Sequence, residues 1–197
     1  MHIESYQVME YFVNNYLDPK KGYDILDIGS YDISGTYRNL FDKINWHYVG
    51  LDIVPGPNVD IVAKGPYDFG LDKEYDVIVS GNCLEHVEAP WLWIKEVEKV
   101  IKPGGLLCIV MPFNLGEHRF PVDCYRILPD GFKYLLCTHS NFELIESKIT
   151  TPPYKIRFFS TRSYLMFLYH ILPKKFKNAL RKPPEFIDSF AIARRKE

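Results

Sequence analysis

This sequence has no CxxC pair, no apolar run long enough to cross a bilayer and almost no charge imbalance. Its four cysteines, Cys83, Cys108, Cys124 and Cys137, are scattered. That spacing excludes a zinc ribbon and offers no disulfide framework, so they read as reduced thiols of a cytoplasmic protein. The opening residues lack the charged and apolar blocks of a cleaved secretion signal, which predicts that the protein is not exported that way. The longest strongly apolar run, Tyr164 to Leu172, is about half of what a membrane span requires. With 24 Lys+Arg against 25 Asp+Glu the formal charge is -1, so overall charge points to neither nucleic acid nor an acidic partner. What remains is 47% hydrophobic and 25% charged residues over 197 positions, the composition of one globular domain with a self-sufficient core.

Ile3, Tyr6, Val8, Met9, Phe12, Val13, Tyr16 and Leu17 recur near a helical period, and Asp18-Pro19 ends the run. An amphipathic helix therefore opens the chain. Tyr23 to Gly29 is a short apolar run closed by glycine, the pattern of a buried strand that stops at a turn. Further strands are predicted at His47 to Asp52, Val59 to Ala63, Tyr75 to Ser80 and Leu106 to Met111. The clearest of the intervening helices runs from Trp91 to Ile101 and stops at Lys102-Pro-Gly-Gly105. Trp91 and Trp93 read as packing residues of that helix. Alternation of strand and helix predicts an α/β fold, a Rossmann-like three-layer sandwich around a mainly parallel sheet. A helix at Pro129 to Thr138 and strands at Phe142 to Ile149 and Phe186 to Ala193 follow. The last two strands suggest an antiparallel hairpin at one edge of a seven-stranded sheet, with the whole of 1–197 forming a single domain.

Ligands of such sheets lie beyond the carboxyl ends of the strands. There the sequence has Asp27-Ile-Gly-Ser-Tyr-Asp-Ile-Ser-Gly35, in which Gly29 allows close backbone approach. Tyr31 and Gly35 break the G-x-G-x-x-G spacing, which disfavours a dinucleotide-dependent oxidoreductase. Gly50-Leu-Asp52 ends the second strand, and a carboxylate in that place can accept both hydroxyls of a ribose.

Taken in order, Ile25-Leu-Asp-Ile-Gly-Ser30, Tyr48-Val-Gly-Leu-Asp52, the Leu84-Glu-His-Val87 string after Tyr75 to Ser80, and Val100-Ile-Lys-Pro-Gly-Gly-Leu106 form a set. Over about residues 23 to 150 it resembles the class I S-adenosylmethionine-dependent methyltransferases of the small-molecule type. The resemblance implies S-adenosyl-L-methionine as cofactor. Its methionine part would be held by Asp27, Gly29, Ser30 and Tyr31, its ribose by Asp52 with Ile53. Lys64 and Gly65 would flank its adenine, and Gly81 and Asn82 would face the methyl-transfer site. Tyr31 stands where a glycine is usual, and Lys64 where an acid often meets the adenine amine. The implied acceptor is a small molecule or a sugar/lipid-type compound methylated on oxygen or nitrogen, with no nucleic-acid partner. A catalytically silent binding module with the same fold is the alternative.

An acceptor that attacks through a hydroxyl must lose a proton, and His86 and His118 are the candidate bases, with Asp123 placed to orient His118. Glu85, His86 and His118 also resemble the metal site of small-RNA 2'-O-methyltransferases, which use two glutamates and two histidines. Asn82 occupies the place of the first glutamate, and no metal is expected here.

Lys155 to Lys182 contains eight Lys or Arg and no Asp or Glu, leaving 16 cations against 25 anions elsewhere. Two readings of this basic and apolar insertion stay open: a lid or dimer contact with its cations in water, and peripheral contact with an anionic membrane.

Overall fold

The computed structural model of the chain describes residues 3–150 and 187–197. The chain divides into two units, Met1–Thr150 with Phe186–Glu197, and Thr151–Glu185. The insertion expected at about 155–182 falls in the second, outside the described residues.

The elements of the first unit are α1 (Ile3–Tyr16), β1 (Tyr23–Ile28), β2 (Trp46–Asp52), β3 (Ile61–Val62), β4 (Tyr75–Gly81), α2 (Pro90–Val100), β5 (Ile101–Pro112), α3 (Pro129–Thr138), β6 (Phe142–Ile149) and β7 (Asp188–Arg195). They build one seven-stranded sheet in the order β3-β2-β1-β4-β5-β7-β6. The pairs among β1 to β5 are parallel. β7 runs antiparallel to both β5 and β6, so the expected hairpin is present with its antiparallel strand one position in from the edge.

Alternation along the strands feeds two cores, one on each face. Leu26, Ile78, Leu107 and Ile109 meet Trp93, Ile94 and Val97 of α2 and Phe132 and Leu136 of α3 on one side. Ile25, Val77, Val79, Cys108 and Val110 meet Val8, Met9, Phe12 and Val13 of α1 on the other. Each such fully buried side chain contributes about 1.5–3 kcal/mol, which is what fixes register in a sheet with both faces covered. Trp93 is buried in the first core while Trp91 is exposed, so only the former packs inward.

Two features depart from the expected pattern. The early crossovers lack long helices: a single 3₁₀ turn at Arg38–Phe41 lies between β1 and β2, and none is found between β2 and β4. Gly35, Pro55-Gly-Pro57 and Gly65-Pro66 interrupt those segments before a helix can nucleate. Secondly, Lys102 to Gly105 lies inside β5 rather than ahead of it. Tyr75 pairs with Ile101 and Val77 with Leu106, so four residues bulge outward opposite Asp76, with Gly104 at φ +75°.

Candidate active site

β1 has β2 on one side and β4 on the other, so the order of strands reverses at its carboxyl end, the place where such sheets open a crevice. A cavity of about 960 Å³ lies there, at the upper end of the roughly 300–1,000 Å³ usual for ligand sites.

The turn after β1 is shaped by close contact. Gly29 has φ +82°, and a Cβ on it would stand 2.5 Å from both Cβ and Sγ of Cys83. A Cβ on Gly81 would stand 2.4 Å from the Tyr37 hydroxyl. Only glycine fits either place. Ser30 is tied to the next loop, its Oγ donating to the Asn58 carbonyl at 3.2 Å while Asn58 Nδ2 donates to the Ser30 carbonyl at 2.9 Å. Asn58 itself has φ 67°, and its Oδ1 accepts from Arg38 Nε at 2.6 Å. The Tyr31 ring passes over Gly56, where a Cβ would strike it at 2.0 Å, and its centroid lies 6.5 Å from that of Phe120. A bulky residue is accommodated after Gly29 because its ring is received by that second glycine.

Asp27 is 2% exposed. One carboxylate oxygen accepts from the Tyr48 hydroxyl, and the other, Oδ1, has no hydrogen-bond partner. Burial pushes its pKa up to about 7, against the opposing pull of Tyr48 and Arg38. Asp52 accepts the Tyr31 N–H at 3.1 Å on Oδ2 and the Val54 N–H at 3.2 Å on Oδ1. Each oxygen keeps a lone pair for a ligand hydroxyl. Asn82 sits in the left-handed region at φ 53°, and its Oδ1 is buried with no hydrogen-bond partner.

Glu85 is fully buried in the 3₁₀ turn Leu84–His86, and neither of its carboxylate oxygens has a hydrogen-bond partner. Burial pushes its pKa up to about 8. His86 Nε2 and His118 Nε2 each stand 3.7 Å from the same oxygen, Glu85 Oε1. The two imidazoles meet edge to face, with centroids 5.0 Å apart. His86 Nδ1 is 2.5 Å from the Val122 carbonyl. Asp123 Oδ2 accepts the His118 backbone N–H at 2.8 Å and lies 3.5 Å from His118 Nδ1. Arg126 grips Asp123 with Nη1 at 2.5 Å and Nη2 at 2.8 Å, which holds that carboxyl well below its usual range. Burial and the neighbouring His86 lower the pKa of His118.

Of the residues singled out in the sequence, Asp27, Gly29, Ser30, Tyr31, Asp52 and Ile53 line this cavity. Gly81, Asn82, His86 and His118 line it as well, and Asp123 stands behind His118. Lys64 and Gly65 fall outside the lining; Ala63 and Pro66 on either side of them lie within it. Sequence reasoning missed Tyr48, Asn58 and Arg126. Asn58 had a signal, since Pro55-Gly-Pro-Asn58 is a turn in which asparagine tolerates positive φ. Tyr48 and Arg126 had none, because their partners are fixed only in three dimensions.

Orphaned acceptors on Asp27, Asn82 and Glu85, a glycine cradle and the spare lone pairs of Asp52 suit a ligand that brings cationic and hydroxyl groups. S-adenosylmethionine, with an ammonium and a ribose diol, fits this set.

Comparison with known proteins agrees. The chain is 30% identical over 110 residues to an uncharacterized methyltransferase of Mycobacterium leprae, covering 50% of this chain and 40% of that protein. The solved structure of the Burkholderia thailandensis 1,6-didemethyltoxoflavin N1-methyltransferase, with its substrate and S-adenosylhomocysteine bound, superimposes with a TM-score of 0.62. It is 15% identical and covers 99% of this chain and 78% of its own. The [4+2]-cyclase SpnF shares the fold at a TM-score of 0.62 and 14% identity, over 96% of this chain and 80% of its own. The fold alone therefore does not decide the reaction. A family model described as a methyltransferase domain matches residues 3–144, and by that match the chain belongs to the methyltransferase-domain family, whose methyl donor is S-adenosylmethionine.

Proposed function

We propose that this chain transfers a methyl group from S-adenosylmethionine to an oxygen or nitrogen of a small acceptor. The observation that carries the proposal is the presence, within one cavity, of Asp27, the Gly29 turn and Asp52 at the carboxyl ends of adjacent parallel strands. When bound, S-adenosylmethionine supplies an electrophilic methyl group. Asp52 accepts the ribose hydroxyls, Asp27 with its free Oδ1 faces the methionine ammonium, and the backbone at Gly29 and Ser30 follows the ligand closely. Gly81 and Asn82 lie beside the transfer point. His118, backed by Asp123, and His86 take the acceptor side and orient the attacking atom, since alignment of the reacting groups supplies a large part of such a rate enhancement.

Ile33, Ile53 and Phe120 are 64%, 51% and 53% exposed and line the same cavity. Apolar side chains left open at a cavity mouth favour an acceptor with an apolar part, in keeping with a small-molecule or lipid-type compound.

Calorimetry with S-adenosylhomocysteine and with NAD tests the cofactor half. Micromolar binding of the former and none of the latter is expected; the reverse overturns the reading. Transfer of labelled methyl to an acceptor library tests the enzymatic half, since a silent binding module would bind cofactor and turn nothing over.

A further inference from the structure

We propose that Glu85, His86 and His118 hold a divalent transition-metal ion at the acceptor end of the cavity. Three donor atoms, one from each residue, lie within 4.8 Å of one another. The two imidazole Nε2 atoms converge at 3.7 Å on the same carboxylate oxygen, a distance too long for any hydrogen bond between them. An ion with bonds of about 2.1 Å places neighbouring ligands roughly 3.0–3.4 Å apart. Each imidazole reaches that spacing from the carboxylate oxygen by a contraction of about half an ångström, and the remaining separation, within 4.8 Å, closes by up to roughly 1.5 Å.

The partners on the far side of each ring favour the same arrangement. His86 Nδ1 can only donate to the Val122 carbonyl, which leaves its Nε2 as a bare lone pair aimed at Glu85. His118 Nδ1 faces Asp123, a carboxylate that draws the proton to Nδ1 and likewise turns Nε2 into an acceptor. Arg126 Nη2 also comes within 3.5 Å of that Nδ1, but its shorter contacts are to Asp123 at 2.8 Å and to the Leu115 and Gly116 carbonyls at 3.4 Å. Two imidazole lone pairs and a fully buried carboxyl group with no hydrogen-bond partner thus face one point. A buried carboxyl group without a hydrogen bond calls for a partner, and a bound ion is one that would engage both imidazoles as well.

Two nitrogens and one oxygen suit manganese, iron, cobalt or zinc rather than calcium or magnesium. All three residues line the cavity, so the remaining coordination positions open toward it. An oxygen or nitrogen of the acceptor would take one of them, which makes a hydroxylated or similarly hard-donor compound the preferred substrate class. That last step rests on the methyl-transfer reading; the metal site does not.

Metal-free, untagged chain titrated calorimetrically with Zn²⁺, Mn²⁺ and Co²⁺ tests the site, with the visible spectrum of bound Co²⁺ as a second readout. One ion per chain is expected. His118→Ala, a change in a partly exposed loop, should abolish binding. Asp123→Asn should weaken it about 10- to 100-fold by losing the orienting carboxylate. His139→Ala, an exposed histidine elsewhere, should change nothing. Failure of all three ions to bind the folded chain, or binding indifferent to His118→Ala, overturns the site. S-adenosylhomocysteine affinity measured with and without chelator is a separate readout. If it binds and metal does not, only the metal site fails; if metal binds and it does not, only the methyl-transfer reading fails.

Discussion

The Asp52 carboxylate, at the end of β2, accepts the backbone N–H of Tyr31, two residues past Gly29, at 3.1 Å. One side chain thus both locks the turn after β1 and presents the surface on which a ribose would rest. Replacing it by alanine should weaken S-adenosylhomocysteine binding by about 1.5–3 kcal/mol, roughly ten- to a hundredfold. Calorimetry on the folded Asp52→Ala protein measures this, and unchanged affinity would remove Asp52 from the ribose site.

Asp27 makes native stability depend on pH. Its carboxyl is pushed from 3.8 to about 7 by burial. Well below pH 3.8 it is protonated whether the chain is folded or not. Between pH 4 and 7 the unfolded chain gives up that proton while the native one retains it, so the native state loses stability as pH rises. The full loss is roughly 4 kcal/mol by neutrality. Urea unfolding of the parent relative to Asp27→Asn, from pH 4 to 8, should show the parent falling behind with rising pH. A pH-independent difference would contradict the buried carboxyl.

Gly29→Ala should be disruptive, because alanine at φ +82° costs about 1–2 kcal/mol and its Cβ would overlap Cys83. Gly116→Ala is the control, since a Cβ there meets nothing within 4 Å. Thermal melts should show a clear drop in Tm for the first and little for the second.

Arg126 ties the acceptor-side loop together, binding both oxygens of Asp123 and reaching toward the carbonyls of Leu115 and Gly116 at 3.4 Å. Arg126→Ala should speed amide exchange over residues 115–124 and lower turnover, with cofactor affinity nearly unchanged. Hydrogen-exchange mass spectrometry reads the first effect, and protection equal to the parent would dismiss the loop role.

Much of this architecture was legible because β1, β4 and β5 are covered on both faces and therefore spell out near-continuous apolar runs. Asp52 was legible for a related reason: a strand end in a parallel sheet has one place for a ligand. The early crossovers were less readable, since Gly35 and Pro55-Gly-Pro57 announce that a helix is interrupted but not that a 3₁₀ turn replaces it. Lys102-Pro-Gly-Gly105 signalled an irregular backbone correctly, while its place inside a strand depends on pairing with Tyr75 and Val77, which no local pattern encodes. Lys64 matched the motif by position, yet its exposed side chain packs by Gly70, outside the cavity lining. Glu85 is the opposite case. Its string was visible, but the absence of any hydrogen bond to a buried carboxylate emerges only when the surrounding atoms are placed.

The position of β7 between β5 and β6 sets a timetable for synthesis. β6 is complete at Ile149, but among the described residues its only sheet neighbour is β7, which begins at Asp188. On a ribosome moving at about 5–20 residues per second, β6 and the outer edge of β5 wait roughly 2–8 s for that neighbour to emerge. During that interval two strand edges, one of them from the apolar centre of the sheet, are open to the wrong partner. Slowing translation across 150–188 should therefore lower the yield of soluble chain, even though no residue of the finished protein has changed.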